Sequence, residues 1–173
     1  MRQILVVIDM QTDFIDGALG TPEAQAVLPR VADLLRNWHG DRIYATRDTH
    51  GTDYLNTAEG RSLPVSHCIQ GTPGWQLHPM LAPLLKEAVV IDKPSFGSLE
   101  LAERLAAEEG PISIEMVGLC TDICVVSNAL LIKAWLPKTP LAVNAACCAG
   151  VTPESHQAAL TTMRMCQVDI YND

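Results

Sequence analysis

Ile4-Leu5-Val6-Val7-Ile8-Asp9 is the most informative stretch of this chain for its fold, because five consecutive apolar residues end abruptly in a carboxylate. A secretory signal contains about 7–15 apolar residues and closes on small ones, so this run predicts a strand rather than a signal. Strands that are apolar without alternation are typical of parallel sheets whose two faces are both covered. The stretch therefore indicates an α/β protein.

Short apolar runs of the same kind recur along the chain and alternate with helical patterns. The runs predict six strands, at residues 4–8, 42–46, 88–92, 112–117, 141–144 and 168–171. The helical patterns predict four helices, at residues 23–38, 99–108, 121–135 and 154–165. Thr21 and Thr152, each followed by a proline, are expected to cap the first and the last of these helices. We expect a six-stranded, mainly parallel sheet with helices on both faces.

The composition limits the classes of function. The chain has 173 residues, 48% of them hydrophobic, and a formal net charge of −8. This length suits a single domain over residues 1–173. An acidic chain repels phosphate, so neither nucleic acid nor an anionic membrane is expected as a partner. No apolar stretch approaches the roughly 20 residues that a membrane helix requires.

The cysteines indicate the compartment. There are six, at positions 68, 120, 124, 147, 148 and 166. Several lie inside apolar runs, as free buried cysteines usually do, and Cys120 and Cys124 lack the CxxC spacing of a zinc or redox site. The pattern predicts a reduced, cytoplasmic protein.

Reactive side chains follow several predicted strands, at the edge where open α/β sheets bind ligands. They are Asp9, Lys93 and, in the turn after the fourth strand, Cys124. A carboxylate can accept the thiol proton as general base, and an ammonium favours both charged forms. Thr121 or Asp122 is expected to cap a helix with Cys124 in its first turn, where the helix dipole lowers the pKa of a thiol. The alternative for Cys124 alone is a small buried hydrophobe.

A second polar cluster lies in the stretch from residue 47 to residue 79, which has no sustained periodicity. Irregular stretches of this length in compact domains are usually functional. Asp48, His50 and His67 supply one carboxylate and two imidazoles, which suit Zn²⁺, with Fe²⁺ or Mn²⁺ as alternatives. The competing interpretation is a loop held by ordinary hydrogen bonds. The remaining histidines, which are assigned no role, are His39, His78 and His156.

Taken together, these segments resemble the isochorismatase-like cysteine hydrolase superfamily, and within it the nicotinamidases. The matching segments, in the order that the superfamily has them, are Ile8–Phe14, Arg47–His50, His67–Gly74, Lys93, Gly118–Val125 and Ala149–His156. They span nearly the whole chain. The resemblance implies the isochorismatase-like hydrolase fold, a three-layer α-β-α sandwich.

The resemblance also implies the catalytic roles. Cys124 would be the nucleophile, Asp9 the base and Lys93 their electrostatic partner. The backbone N–H groups of Cys120 and Cys124 would form the oxyanion hole, next to a cis peptide bond between Leu119 and Cys120.

A metal and a substrate pocket are implied in the same way. Asp48, His50 and His67 would bind the divalent ion, which in nicotinamidases holds the pyridine nitrogen or orders water. Phe14 and Phe96 would contact an aromatic substrate.

The chain departs from the nicotinamidase pattern at two places. Tyr54 stands near the position of a further histidine ligand, and Leu63 or Pro64 replaces an aromatic residue that often lines the pyridine pocket. Because the isochorismatase branch proper lacks the cysteine, Cys124 favours an amidase.

We therefore expect hydrolysis of a small C–N amide through a thioester, most simply of nicotinamide to nicotinate and ammonia. Another small amide, an N-carbamoyl compound or a ureido compound is the alternative substrate. A catalytically silent binding or scaffold domain of the same fold is the alternative from another class. Members of the family are commonly dimers or larger, so a homo-oligomer is expected.

Overall fold

The computed structural model describes residues 1–173 and contains one six-stranded sheet in which all strands run parallel. The strands are β1 (Arg2–Ile8), β2 (Arg42–Asp48), β3 (Val89–Lys93), β4 (Ile112–Leu119), β5 (Leu141–Ala149) and β6 (Asp169–Tyr171). Their order across the sheet is β3-β2-β1-β4-β5-β6. The predicted six-stranded parallel sheet is confirmed.

Six α-helices accompany the sheet. They are α1 (Thr12–Ile15), α2 (Pro22–Arg36), α3 (Ala58–Ser62), α4 (Leu99–Ala106), α5 (Val126–Trp135) and α6 (Pro153–Met165). The predicted caps of the first and last helices are confirmed, since the Thr21 side chain accepts a hydrogen bond from Ala24 N and the Thr152 side chain accepts one from Ser155 N. None of the helices combines the length and the apolar character that crossing a membrane requires.

Two apolar cores cover the two faces of the sheet, which explains why the strands do not alternate in polarity. Along β1, Ile4, Val6 and Ile8 belong to one core. Leu5 and Val7 belong to the other core. All five are fully buried. Helix α2 packs on the second core, while α4, α5 and α6 contribute to the first, so helices lie on both faces as predicted.

The sheet brings the ends of β1 and β4 together. From β1 the chain builds outward to β2 and β3 on one side, and through β4 to β5 and β6 on the other. Ligands of open α/β sheets bind at such a switch point, beyond the carboxyl ends of the strands. Gly118 makes the close approach possible, because it has a φ of +123° and an added Cβ would lie 2.1 Å from Ile8 O.

Four differences from the sequence predictions concern short or irregular elements. Strand β5 continues past Asn144 to Ala149, and after a register shift Cys148 and Ala149 pair with Gly118 and Leu119 at the end of β4. The short helices α1 and α3 and a 3₁₀ turn, Tyr54–Asn56, were not predicted. Helices of four or five residues contain too little periodicity to be recognised in a sequence.

Candidate active site

Asp9, Lys93 and Cys124 lie together at the carboxyl edge of the sheet. Lys93 Nζ is 2.7 Å from Asp9 Oδ2 and 3.5 Å from Cys124 Sγ. The side chains of Asp9 and Lys93 are fully buried, and Cys124 is 4% exposed. On its other side, Asp9 Oδ1 accepts a 2.6 Å hydrogen bond from Thr46. A carboxylate, an ammonium and a thiol are therefore in contact and shielded from water.

Burial dominates the electrostatics of these three groups. It raises the pKa of Cys124 well above the ordinary value, and the charge of Asp9 adds to the effect, while Lys93 opposes it. The expected lowering of the thiol pKa is therefore wrong, because burial and the charge of Asp9 outweigh the opposing charge of Lys93. Burial also raises the pKa of Asp9, against the opposing charge of Lys93. Burial alone would lower the pKa of Lys93, but the charges of Asp9, Cys124 and Asp48 raise it overall.

The nucleophile turn, Thr121–Val125, carries Cys124 into the site. It is a single turn of π-helix that leads directly into α5. The peptide bond between Leu119 and Cys120 is cis, as the resemblance implied. Cys120 and Cys124 both line the cavity described below.

The two residues expected to cap this turn serve another purpose. The turn has no side-chain cap. Instead, the Thr121 hydroxyl shares a 2.8 Å hydrogen bond with Nδ1 of His156, and Asp122 accepts one of 3.1 Å from Val151 N. Both contacts tie the nucleophile turn to the start of α6. His156, to which the sequence assigned no role, thus helps to hold this turn.

The predicted metal ligands also converge. Donor atoms of Asp48, His50, Glu59 and His67 all lie within 4.8 Å of one another. His50 Nε2 is 2.9 Å from Asp48 Oδ2, and His67 Nε2 is 3.7 Å from the same oxygen. Burial would raise the pKa of Asp48, but the hydrogen bond to His50, the nearby imidazole of His67 and the charge of Lys93 hold it below the ordinary value. Asp48 is therefore a carboxylate at neutral pH.

Glu59 is the member of this cluster that the sequence analysis missed. Its Oε1 lies 3.7 Å from His50 Nε2 and from His67 Nε2. Tyr54, which occupies the expected position of a further ligand, packs its ring 4.7 Å from that of His50 and donates its hydroxyl to Leu63 O. The only indication of Glu59 in the sequence was that it is an acidic residue between His50 and His67 in the irregular loop.

Neighbouring polar groups orient these ligands. The buried Gln11 side chain donates to Asp48 O at 2.9 Å and accepts from Asp48 N at 2.7 Å. Asp13 accepts a 2.8 Å hydrogen bond from the backbone N–H of Cys68, next to His67. His67 Nδ1 is 2.8 Å from Val65 O, so this nitrogen donates and Nε2 is left to face the carboxylates. Metal-binding histidines are typically oriented in this way.

A cavity of about 730 Å³ opens above Cys124. Asp48, Glu59 and His67 from the metal cluster also line it, so nucleophile and cluster share one space. Phe14 and Phe96, the predicted substrate contacts, both line the walls. Phe14 is 9% exposed and its ring is 5.5 Å from that of His67, whereas Phe96 is 43% exposed.

A parallel α/β sheet with a buried carboxylate, ammonium and thiol at its switch point is the architecture of an α/β cysteine hydrolase. The sequence model of the isochorismatase domain family matches residues 3–171. The chain belongs to the isochorismatase domain family.

Relatives of known name agree with this assignment. The nicotinamidase/pyrazinamidase of Mycobacterium tuberculosis is 27% identical over 190 residues, which cover 96% of each chain. The structure of the Pyrococcus horikoshii pyrazinamidase in complex with zinc superposes with a TM-score of 0.82 and 28% identity, covering 100% of both chains. A Bacillus subtilis nicotinamidase/pyrazinamidase gives a TM-score of 0.85 and 25% identity, covering 98% of this chain and 99% of that one. The predicted family and enzyme class, a nicotinamidase-like hydrolase of C–N bonds other than peptide bonds, are confirmed.

Proposed function

We propose that this protein hydrolyses a small carboxamide through a thioester on Cys124, with nicotinamide as the reference substrate. The observation that carries the proposal is the position of Lys93 Nζ, 2.7 Å from Asp9 Oδ2 and 3.5 Å from Cys124 Sγ. Cys124 lines a cavity that a small molecule can enter, while Asp9 and Lys93 lie buried behind it. A nucleophile with an adjacent base held by a third group is the general arrangement of covalent catalysis.

Acylation begins with proton transfer from the thiol. The raised pKa of Asp9 makes its carboxylate a stronger base than a free aspartate, and Cys124 donates its proton to it as the sulfur attacks the amide carbonyl. Lys93 remains positive and stabilises the thiolate as it forms. The backbone N–H groups of Cys120 and Cys124 stabilise the oxyanion. When the C–N bond breaks, Asp9 passes its proton to the departing ammonia.

Deacylation reverses these roles. A water molecule attacks the thioester carbonyl and gives a proton to Asp9. The C–S bond then breaks, the proton returns to Cys124, and the carboxylic acid leaves as its anion. Ammonia takes up the proton that the acid loses, so the products are one carboxylate and one ammonium ion for each amide and water consumed.

A divalent metal, which we propose to be Zn²⁺ with Fe²⁺ or Mn²⁺ as alternatives, fits the residues of the cluster. Asp48, His50, Glu59 and His67 would hold it, since two imidazoles and two carboxylates are donors that these ions accept. The Nδ1 hydrogen bond of His67 leaves Nε2 free for an ion. When bound, the ion supplies a Lewis acid that orients a donor atom of the substrate or a water molecule.

A silent scaffold would not need this arrangement. Taking Asp9 and Lys93 out of water costs several kcal/mol per ion, and their attraction returns this only partly. Apolar residues at both positions would satisfy a purely structural domain. The buried pair beside Cys124 therefore supports an enzyme.

The remaining proposals concern the setting of the enzyme. We propose that residues 1–173 act as one domain in the reduced cytoplasm, which the buried thiols of Cys68, Cys147 and Cys148 favour. We also propose a homo-oligomer, since Leu99 and Trp135 are large apolar residues that are 61% and 50% exposed. A monomer mass in light scattering at micromolar concentration would refute the oligomer.

Ammonia release from purified protein tests the proposed function. We expect release from nicotinamide or another small carboxamide, one equivalent per carboxylate formed, and no release by Cys124→Ala. Full activity of Cys124→Ala, or inactivity of the wild-type protein on every amide tested, would refute it.

A further inference from the structure

We propose that the substrate of this site is an uncharged carboxamide larger than nicotinamide, with an extended apolar group attached to its ring. This inference rests on the proposed amidase function and adds the size and charge of the substrate. Three properties of the cavity carry it: its volume, the side chains of its walls and the charges of its lining.

The volume exceeds what one small ring needs. Cavities of about 300–1,000 Å³ enclose drug-sized ligands, and this one measures about 730 Å³. Nicotinamide is a single six-membered ring with one carboxamide, so it would leave much of the space to water. A ligand that fills the remainder would displace this water from apolar walls, which favours binding.

The walls away from Cys124 and the metal cluster are largely apolar. They include Leu19, Leu63, Ile123 and Val151, together with Phe96. Phe96 and Val151 are 43% and 50% exposed, so this apolar part of the cavity wall is accessible to a ligand. These walls match an apolar extension of the substrate rather than a polar one.

The lining of the cavity disfavours an anionic substrate. Asp48 and Glu59 are the acidic residues of the lining, and no lysine or arginine is among the lining side chains. The ammonium of Lys93 is fully buried and paired with Asp9. The proposed ion would balance the charges of Asp48 and Glu59, so it is the apolar walls that disfavour an anion. A carboxylate on the extended group of the substrate would find no cationic side chain to pair with there, and it would lose hydration. N-carbamoyl amino acids, which carry such a group, are thereby disfavoured.

Leu63 offers a way to change the volume. Its side chain lines the cavity and is 38% exposed, and its carbonyl oxygen accepts a 2.9 Å hydrogen bond from Tyr54. A tryptophan at this position would occupy part of the cavity while its backbone contact remains. Leu55 is a matched control, since it is 52% exposed in the same loop and does not line the cavity.

The test compares kcat/KM for three amides that share the pyridine carboxamide. They are nicotinamide, 5-phenylpyridine-3-carboxamide and 5-(4-carboxyphenyl)pyridine-3-carboxamide. We expect the phenyl compound to exceed nicotinamide by about tenfold or more, and the carboxyphenyl compound to fall below the phenyl compound by at least about tenfold. Leu63→Trp should lower the ratio of phenyl compound to nicotinamide by about tenfold, whereas Leu55→Trp should leave this ratio unchanged.

The outcomes separate this inference from the function on which it rests. Cys124-dependent hydrolysis in which nicotinamide equals or exceeds the phenyl compound would overturn the inference and leave the amidase intact. Equal rates for the phenyl and carboxyphenyl compounds would overturn the charge argument, and an unchanged ratio in Leu63→Trp would overturn the assignment of this wall. If none of the three compounds releases ammonia, the proposed amidase function is refuted, and this inference is refuted with it.

Discussion

Lys93 Nζ lies 2.7 Å from Asp9 Oδ2 in a place where neither side chain has any exposed surface. A buried pair of this kind contributes little net stability, yet removing one partner leaves an uncompensated charge. The same lysine is in contact with Cys124, at 3.5 Å. One ion pair thus links the stability of the protein to its proposed chemistry, and the first prediction follows from it.

Lys93→Met should destabilise the protein by about 3–5 kcal/mol, because Asp9 then remains buried without its partner. Asp9→Asn combined with Lys93→Met should recover much of this loss, since neither charge remains. Urea denaturation of the two single variants and the double variant gives the coupling energy. Additive effects of the two substitutions would show that the pair is not energetically coupled.

Cys124→Ala should reduce kcat by at least about a thousandfold, because the nucleophile is lost. Far-ultraviolet circular dichroism should remain that of the wild-type protein, since a small buried side chain is replaced by a smaller one. Cys166→Ala is the matched control: Cys166 is an exposed thiol, and its loss should leave turnover unchanged. Comparable activity in both variants would rule out Cys124 as the nucleophile.

Activity should fall on acidification at a pH above that expected for a free aspartate. Burial raises the pKa of Asp9 from its ordinary 3.8, so this carboxylate takes up its proton at a higher pH than a solvated one. The base is then lost as the pH falls through the raised value and is present above it. Lys93 has a raised pKa and should cause no loss of activity up to pH 10.5.

A profile of kcat/KM against pH checks this, with circular dichroism at each pH to confirm that the protein stays folded. An acid limb with its midpoint at or below 3.8 would contradict the proposed role of Asp9.

Glu59→Gln should weaken metal binding by about 10–100-fold, since one charged oxygen donor becomes a neutral one. Elemental analysis after mild purification and competition with a chelator measure the affinity directly, without relying on activity. Glu100→Gln is the control, because Glu100 lies on α4 in an exposed ion pair with Arg104.

Chelation of the wild-type protein should lower its thermal midpoint as well, because an ion bound only to the folded state stabilises that state. Equal metal content in Glu59→Gln and the wild-type protein would remove Glu59 from the ligand set. A wild-type protein that retains no stoichiometric metal after mild purification would refute the site as a whole.

Much of the candidate site could be predicted from the sequence because its residues stand where strands end. Asp9, Asp48 and Lys93 each close or follow a strand, and parallel strands bring their carboxyl ends to one edge. Cys124 was nominated from the turn after the fourth predicted strand, and His50 and His67 from the irregular loop. The resemblance then implied their roles. Glu59 escaped prediction because no strand or regular pattern positions it: a five-residue helix in an irregular loop turns it toward the histidines.

The sequence was sufficient to predict the α/β alternation, the parallel sheet, the caps of α2 and α6 and the identity of the reactive side chains, since all of these depend on local pattern or on strand order. The pKa values of the buried groups and the volume of the cavity, in contrast, depend on the tertiary structure. The Cys124 pKa is raised rather than lowered because solvent exclusion is a sum over all neighbours, whereas a helix dipole can be inferred from a few residues. The volume above Cys124 likewise depends on walls contributed by distant segments, such as Leu19, Leu63 and Val151. The distances between these walls cannot be inferred from any one stretch of sequence, because they depend on how the complete chain packs.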